Sequence, residues 1–189
     1  VCPYCTINSA NTTEHILPKE VYPEYAVNVL NLIPACSECN SFKLHDVVDQ
    51  NGEIFTINFY TDTLPDIRYL FARITHIEGG VQLEYYLENR NGVDANLYAL
   101  IERHFKRFHL KDRYYDKAVQ ELSNIENYFK FEEITCEAEY DKVANKLIRK
   151  TDADSIAYGR NHWRIVMYYD AATSPVFKSY MMAQLHLRP

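Results

Sequence analysis

Long apolar runs and an excess of positive charge are both missing from this sequence of 189 residues. Its apolar stretches are far too short to cross a bilayer and no secretory leader is visible, so the sequence predicts no membrane association. Twenty basic residues stand against 26 acidic ones, which gives a formal net charge of −6. This balance is atypical of proteins that coat nucleic acid, although a local basic patch or a bound metal can outweigh it.

Internal repeats and low-complexity tracts are also absent, which argues against a repeat protein or a disordered linker. Hydrophobic residues make up 47% of the sequence and aromatic residues 14%, including 16 tyrosines. A chain of this length and composition can bury a sizeable core. We therefore expect one globular domain or two small ones.

The sequence has five cysteines, an odd number, and the pairing of four of them argues for metal binding and not for a disulfide framework. Four of them form two C-x-x-C pairs, Cys2/Cys5 and Cys36/Cys39, whereas Cys136 is alone and is expected to be a small buried residue. Two such pairs can bring four thiolates to one tetrahedral Zn²⁺, which is the pattern of a structural zinc site. The thiolates predict a reducing, cytoplasmic setting.

The chain begins at Val1 and not at methionine, with Cys2 directly after it. A zinc ligand so close to a terminus would be exposed to fraying. We therefore expect natural residues to precede Val1.

Hydrophobic periodicity predicts mixed structure in the middle of the chain and helices after it. Strands are predicted at Ile54–Phe59 and Val81–Leu87, and a short helix is predicted at Pro65–Ile74. Residues 94–130 are predicted to be helical, with an N-cap at Asp94 and a break near residues 110–112. Further helices are predicted at residues 137–150 and 154–169, with a last short helix after a turn at residues 174–175.

The predicted fold class is therefore α+β, with a zinc-stabilised module followed by a mainly helical region that includes a small β-hairpin. We place the module at residues 1–50 and the remainder, a candidate substrate- or partner-binding region, at residues 51–189. The boundary is expected between residues 46 and 60.

A set of polar residues occurs in a fixed order between and after the two cysteine pairs. Glu14-His15 follows the first pair, Asn31-Leu32 precedes the second pair, and Asn40 and Lys43 follow Cys39. In this order the sequence resembles the HNH endonuclease family, also called the ββα-metal or His-Me finger nucleases. The resemblance covers about residues 1–45 and implies a ββα-metal fold for the first module.

The resemblance implies a role for each of these residues in phosphodiester hydrolysis. His15 would be the general base, and Asn31 would hold the loop and orient His15. Glu14 and Asn40 would bind one hard cation, Mg²⁺ or Mn²⁺, which keeps positions open for phosphate and water. Lys43 lies one helical turn after Asn40 and would contact a phosphate.

Two positions and one segment depart from the usual family pattern. Aspartate is more usual at position 14, and many relatives carry histidine at position 40, although asparagine still offers a ligand oxygen. Many relatives also carry Gly-Gly between the histidine and Asn-Leu, where this chain has Lys19–Leu30. His45 is a candidate spare ligand, but a surface histidine is the simpler interpretation.

Basic residues gather around the predicted helix break, among them Arg103, Lys106 and Arg107, with aromatic residues interleaved. Such a cluster can bind a sugar–phosphate backbone. The alternative is a solvated helix face with internal ion pairs.

The predicted function is metal-dependent endonucleolytic cleavage of DNA. The layout of a zinc module and a helical tail resembles small bacterial HNH nucleases that act beside an ATPase in antiviral defence. Three alternatives stay open: a nuclease subunit that is silent until an ATPase partner binds, a non-catalytic zinc-dependent nucleic-acid-binding module, and RNA as the substrate.

Overall fold

The chain folds into two compact units. The structure is a computed structural model and describes residues 1–186. The first unit contains residues 1–65 and 92–110, and the second contains residues 66–91 and the chain from residue 111 onward. The division into 1–50 and 51–189 stays a prediction.

The first unit contains a two-stranded antiparallel hairpin that is followed by a short helix. Its elements are β1 (Thr12–His15), β2 (Leu32–Ala35), α1 (Ser37–Lys43) and α2 (Ala95–Arg107). The register pairs Thr12 with Ala35 and His15 with Leu32, and two 3₁₀ turns lie at Pro23–Tyr25 and Val29–Asn31 in the long connection. The order β1–β2–α1 is the ββα arrangement that the resemblance implied.

Helix α1 begins inside the second cysteine pair. Cys36 is extended and is the N-cap, and its sulfur accepts a hydrogen bond from the Cys39 N–H at 3.4 Å. The same sulfur therefore caps the helix and points into the cysteine cluster. The helix ends at Lys43, because Leu44 has a φ of 56° and cannot continue it.

The strand that was predicted at Ile54–Phe59 is wrong. Only an isolated bridge between Val48 and Ile54 forms there. Backbone groups of this segment bond to side chains of α2 and not to a neighbouring strand: the Ile57 N–H donates to His104 Nδ1 at 3.2 Å, and Arg103 Nε donates to the Ile54 carbonyl at 2.6 Å. These contacts satisfy the backbone of a buried segment without a β-ladder.

The second unit begins with an antiparallel hairpin. Strands β3 (Leu70–Ile77) and β4 (Gly80–Leu87) pair throughout, and the turn between them has Gly79 at a φ of 81°. The strand predicted at Val81–Leu87 is confirmed as most of β4. The helix predicted at Pro65–Ile74 is wrong, because Leu70, Ala72 and Ile74 point to the same buried side of β3 with period two.

Four helices complete the second unit. They are α3 (Leu110–Phe131), α4 (Glu137–Tyr158), α5 (Trp163–Thr173) and α6 (Pro175–His186). The break before α3 and the N-cap of α2 at Asp94 are confirmed. The helix predicted at residues 154–169 has the wrong start, because α4 continues to Tyr158 and Gly159, at a φ of 87°, ends it. The rest of that prediction, residues 163–169, lies in α5.

Side chains cover the outer edge of β3. Asp170 accepts hydrogen bonds from the Ala72 N–H at 2.7 Å and from the Arg68 guanidinium at 2.7 and 2.8 Å. Asn161 accepts from the N–H groups of Tyr69 and Leu70. Burial raises the pKa of Asp170, and the contacts with Arg68 and Ala72 oppose that shift. These contacts occupy backbone donors at the start of β3 that would otherwise be available to another strand.

The α+β fold class is confirmed, with two small hairpins and six helices in residues 1–186. Cys136 was expected to be buried, but it is exposed at the N-cap of α4. No helix in this range combines the length and the apolar character that a membrane crossing needs.

Candidate metal centre and active site

The four paired cysteines form one buried cluster. The sulfur atoms of Cys2, Cys5, Cys36 and Cys39 all lie within 4.8 Å of one another, and Cys5 Sγ is 3.9 Å from Cys36 Sγ. A tetrahedral Zn²⁺ with Zn–S bonds of about 2.3 Å needs sulfur separations of about 3.8 Å. The donor set and the spacing therefore fit a structural zinc ion.

The first cysteine pair lies in a tight knuckle. The Thr6 N–H donates to the Cys2 carbonyl and the Cys2 N–H to the Asn8 carbonyl, and Thr6 has a φ of 54°. The pKa of the Cys5 thiol lies well below its ordinary value, because the side chains of Cys2 and Cys39 and nearby backbone N–H groups hydrogen bond to its sulfur. These bonds favour the thiolate, which is the form that binds metal.

His15 ends β1 with its ring only partly buried. Its Nε2 lies 3.0 Å from the carbonyl oxygen of Ala26. A carbonyl can only accept a hydrogen bond, so this contact assigns the proton of the neutral ring to Nε2. Nδ1 then carries the lone pair, and it is the atom of His15 that can take a proton.

Glu14 is 6% exposed and forms an ion pair with Lys43. The Lys43 Nζ lies 3.0 Å from Glu14 Oε1 and donates to the His15 carbonyl at 2.9 Å. The second carboxylate oxygen of Glu14, Oε2, has no hydrogen-bond partner in the described part of the chain. One carboxylate oxygen of Glu14 is therefore held by Lys43.

Lys43 was predicted to contact a phosphate. It is fully buried, and α1 directs its ammonium inward to β1. Its own carbonyl accepts a hydrogen bond from Arg107. In this position Lys43 fixes the Glu14 side chain and the end of β1.

Asn40 connects α1 to the start of β1. Its Nδ2 donates to Thr12 Oγ1 at 3.2 Å, and that hydroxyl donates to the Ala35 carbonyl at 2.9 Å. Because the amide nitrogen is used in this way, the amide oxygen is left to accept or to ligate. No described residue donates a hydrogen bond to that oxygen.

Asn31 closes the loop between the two strands. Its Nδ2 donates to the carbonyls of Leu17 and Tyr25, at 3.0 and 3.1 Å, and its Oδ1 accepts from the Leu17 N–H at 2.6 Å. It is 5% exposed. The amide does not bond to the His15 ring in the described chain, so its effect on His15 passes through the loop that carries Ala26.

The three basic residues Arg103, Lys106 and Arg107, which were predicted to bind nucleic acid, lie in different local environments. Arg103 bonds to the Ile54 carbonyl and to Glu53. Arg107 bonds to the Lys43 carbonyl and to Asp46, and its guanidinium stacks 4.4 Å from the Phe55 ring centroid. Lys106 is exposed. The two arginines thus attach the segment after α1 to α2, and Lys106 is the member of this trio whose side chain is open to solvent.

Sequence reasoning did not identify His104 as important. The ring is buried, with Nε2 at 2.9 Å from the Tyr4 carbonyl and Nδ1 accepting from the Ile57 N–H. Tyr4, between the first two cysteines, stacks on Phe108 at 4.8 Å. The spacing in the sequence does indicate its burial, because His104 lies three residues after Ile101 and four before Phe108, on the apolar face of α2.

Comparison with known proteins agrees with the geometry of this unit. Residues 2–46 match the family model described as HNH endonuclease. The chain is also 24% identical over 194 residues to "Protein ea31" of Escherichia phage lambda, which covers 93% of this chain and 62% of that protein. The chain thus spans about three-fifths of the length of this curated relative. No solved structure matches.

The hairpin, the helix and the four-cysteine cluster define a zinc-knuckle ββα module. Residues 2–46 of this chain are an HNH endonuclease domain. The description of that family names an endonuclease activity. The name of the phage protein adds no activity to this assignment.

Proposed function

We propose that this protein is an endonuclease that hydrolyses phosphodiester bonds of DNA with the help of a divalent cation. The observation that carries the proposal is the fixed imidazole of His15, whose Nε2 is bonded to the Ala26 carbonyl and whose Nδ1 is left as a base. An imidazole nitrogen of this kind can take the proton of an attacking water near neutral pH.

The proposed cation ligands are Glu14 Oε2 and the amide oxygen of Asn40. Both oxygens lack other partners in the described chain. Carboxylate and amide oxygens suit Mg²⁺ or Mn²⁺, which leave positions for phosphate and water. When bound, such a cation stabilises charge on the phosphate and on the leaving oxygen. The protein's part is to hold these two oxygens and the His15 ring in place.

In this proposal Lys43 and Asn31 are positioning residues. The Lys43 ammonium holds the Glu14 carboxylate, and the Asn31 amide closes the loop that carries Ala26. Neither contact requires the substrate. The cysteine cluster is proposed to bind Zn²⁺ and to fix the start of α1, where Asn40 lies.

The test is cleavage of supercoiled plasmid and of a short RNA in Mg²⁺ and then in Mn²⁺, with a metal-free sample as control. His15→Ala should lower kcat by about 10²- to 10⁴-fold, the usual contribution of a general base. His45→Ala is the matched control, because His45 is an exposed histidine of the same domain, and its rate should stay within about twofold. Equal rates for wild type and His15→Ala would contradict the assignment of the base.

A partner-dependent nuclease is the second candidate. The internal contacts of Arg103 and Arg107, together with the net charge of −6, favour weak electrostatic capture of a nucleic acid. The ATPase partner, the antiviral role and the cytoplasmic location predicted from the sequence belong to this second proposal. Zinc-loaded wild type that binds DNA without cutting it would favour this candidate or a binding module over the autonomous enzyme.

A further inference from the structure

The second unit contains a small polar cavity beside the start of β3. The cavity has a volume of about 100 Å³ and opens to solvent on one side, so it has room for about three water molecules or for one edge of a flat ring. It is lined by residues just before β3, in α4, in the loop after α4 and in α5: Arg68, Asp152, Ser155, Arg160, Ile165 and Tyr169. All six residues belong to the second unit, outside the HNH domain.

The guanidinium of Arg68 is held in a fixed position. It donates to the carboxylate oxygens of Asp170 at 2.8 and 2.7 Å, and it lies over the rings of Phe71 and Tyr169, 4.7 and 4.8 Å from their centroids. Its Nε is buried and has no hydrogen-bond partner within residues 1–186. A buried donor without an acceptor costs free energy. Arg68 therefore offers a preorganised donor that an acceptor of a ligand can satisfy.

Arg160 and Asp152 add opposite charges to the lining. Arg160 uses its Nε to donate to Asp66 at 3.0 Å in an exposed pair, and its terminal nitrogens are further donors. Asp152 is exposed, and its carboxylate has no partner in the part of the chain that the structure describes. An ionised carboxylate can only accept hydrogen bonds. The cavity thus combines the donors of two guanidinium groups with one group that only accepts.

This mixed lining disfavours a ligand of a single charge sign. A phosphate would accept from the two arginines, but it would meet the negative charges of Asp66, Asp152 and Asp170. A metal ion or an ammonium group would suit Asp152, but it would leave the Nε of Arg68 without an acceptor. A neutral flat group that carries acceptors next to donors satisfies both kinds of side chain.

Guanine carries its polar groups in this arrangement. Its O6 and N7 are acceptors, and arginine is their commonest specific partner in proteins. Its N1–H and 2-amino group are donors for which a carboxylate is a suitable acceptor. The Tyr169 ring lies in the wall of the cavity, and base–aromatic stacking adds affinity for any base. Hydrogen bonding at both edges is therefore what would distinguish guanine from the other bases.

We propose that this cavity binds a guanine base, with Arg68 and Arg160 donating to O6 and N7 and with Asp152 accepting from N1–H and the 2-amino group. The inference goes beyond the proposed nuclease function, because it concerns the second unit and needs neither cleavage nor a catalytic cation. The base can belong to a free guanine nucleotide or to an unpaired guanine of a nucleic acid, and the recognition chemistry is the same in both.

The experiment measures the binding of nucleoside monophosphates to the zinc-loaded full chain by isothermal titration calorimetry without Mg²⁺. Inosine monophosphate differs from guanosine monophosphate only by the missing 2-amino group, and adenosine monophosphate has a donor in place of O6. The guanine nucleotide should bind about tenfold more tightly than the adenine nucleotide, since one bidentate base contact gives discrimination of this order. The inosine nucleotide should fall between the two.

Two exposed positions of the cavity provide the variants. Asp152→Asn should lower the affinity for the guanine nucleotide about tenfold and bring it close to that for the inosine nucleotide, because an amide cannot accept from both donors. Arg160→Gln should weaken binding to a similar extent. The controls Asp116→Asn and Arg149→Gln remove exposed charges of the same unit outside the cavity, and their affinities should stay within about twofold of wild type.

A second pair of ligands separates the two sources of the base. One is a single strand of thymidines with one central guanine, and the other is the same strand without guanine. Preference for the strand with guanine supports recognition of an unpaired guanine in nucleic acid. Equal binding of the two strands, with selectivity confined to the monophosphates, supports a site for a free guanine nucleotide.

Two results would overturn the proposal. Equal affinity for the three monophosphates, or no binding of any of them, would leave the cavity to ordered water. An Asp152→Asn variant that binds inorganic phosphate more tightly than wild type, with guanine affinity unchanged, would make the cavity an anion site. Plasmid cleavage tests the nuclease function separately, so either proposal can fail while the other stands.

Discussion

At the scale of single residues, the candidate site contains a buried ion pair between Glu14 and Lys43. Both side chains are almost entirely buried, and their charged atoms are 3.0 Å apart. A buried ion pair of this kind contributes little net stability, because desolvation offsets the attraction. The pair instead fixes the position of the Glu14 carboxylate, because a carboxylate that moved away from the ammonium would become an unpaired buried charge.

Lys43→Met should therefore destabilise the zinc-loaded protein by about 3–5 kcal/mol, the usual cost of leaving one member of a buried pair alone. The double variant Lys43→Met/Glu14→Gln should recover much of this loss. Chemical denaturation of the single and double variants in the absence of Mg²⁺ gives the coupling energy. Strictly additive losses would show that the two side chains do not interact.

The order of residues along the chain predicted that Glu14, His15, Asn31 and Asn40 belong to one module. Strand β1, the loop and α1 contain these residues, and their catalytic and metal-binding roles stay predictions. The direction of Lys43 was not predictable, because lysine on a short helix is exposed by default. Its burial depends on a carboxylate that arrives from a strand 29 positions earlier in the chain.

At the scale of elements, α2 stabilises the first knuckle through His104. One ring nitrogen accepts from the Ile57 N–H and the other lies 2.9 Å from the Tyr4 carbonyl, so the neutral ring satisfies both. Burial lowers the pKa of His104 from an ordinary 6.5 to about 4. A protonated ring could not accept from Ile57, so acid should weaken this junction.

The stability that depends on neutral His104 is fully present above pH 6.5 and declines as the pH falls toward 4. From this shift, the loss at pH 5 is about 2 kcal/mol. The measurement is the free energy of unfolding at pH 7.5 and pH 5 for wild type and for His104→Gln, which has no titrating ring. His76→Gln, at an exposed site of β3, is the control.

Loss of zinc in acid affects all three proteins alike, so the informative quantity is the difference between their pH dependences. His104→Gln should be less stable than wild type at pH 7.5. The difference in the free energy of unfolding between the two proteins should be smaller by about 2 kcal/mol at pH 5. A gap of constant size would mean that His104 does not titrate between the folded and unfolded states in this range.

Helical periodicity was sufficient to predict α2 and α3, because their apolar positions repeat over several turns. The segment Ile54–Phe59 was misread because its apolar residues alternate as in a strand, while its backbone partners are side chains about 50 positions away. β3 was misread because its partner strand follows a turn that the sequence shows only as Gly79-Gly80. Hydrogen bonds between the backbone and residues so distant in the sequence cannot be predicted from the local residue pattern.

At the scale of the whole molecule, charge decides how substrate is captured. The formal net charge is −6, and Arg103 and Arg107 both bond to the backbone and to acidic side chains of their own unit. Of the three residues Arg103, Lys106 and Arg107 that were predicted to bind nucleic acid, Lys106 is the exposed one. Binding that depends on few phosphate contacts should have a weak dependence on salt.

We expect the logarithm of the duplex association constant to fall with the logarithm of salt concentration with a slope of about −1 to −3, since each neutralised phosphate contributes about −0.9. Lys106→Gln should reduce the slope by about one contact, whereas Arg103→Gln should lower Tm and leave the slope unchanged. Fluorescence anisotropy between low and physiological salt, in Ca²⁺, provides both slopes.

A slope of −6 or steeper would mean that many cations contact the backbone, and it would contradict the weak electrostatic capture inferred from the arginine contacts. A shallow slope has a further consequence, because affinity must then come from apolar contacts or from a second protein. The two sources differ in the purified chain: apolar contacts persist in high salt, whereas delivery by a partner requires that partner. Duplex binding by the isolated chain that survives physiological salt would therefore favour apolar contacts as the source of affinity.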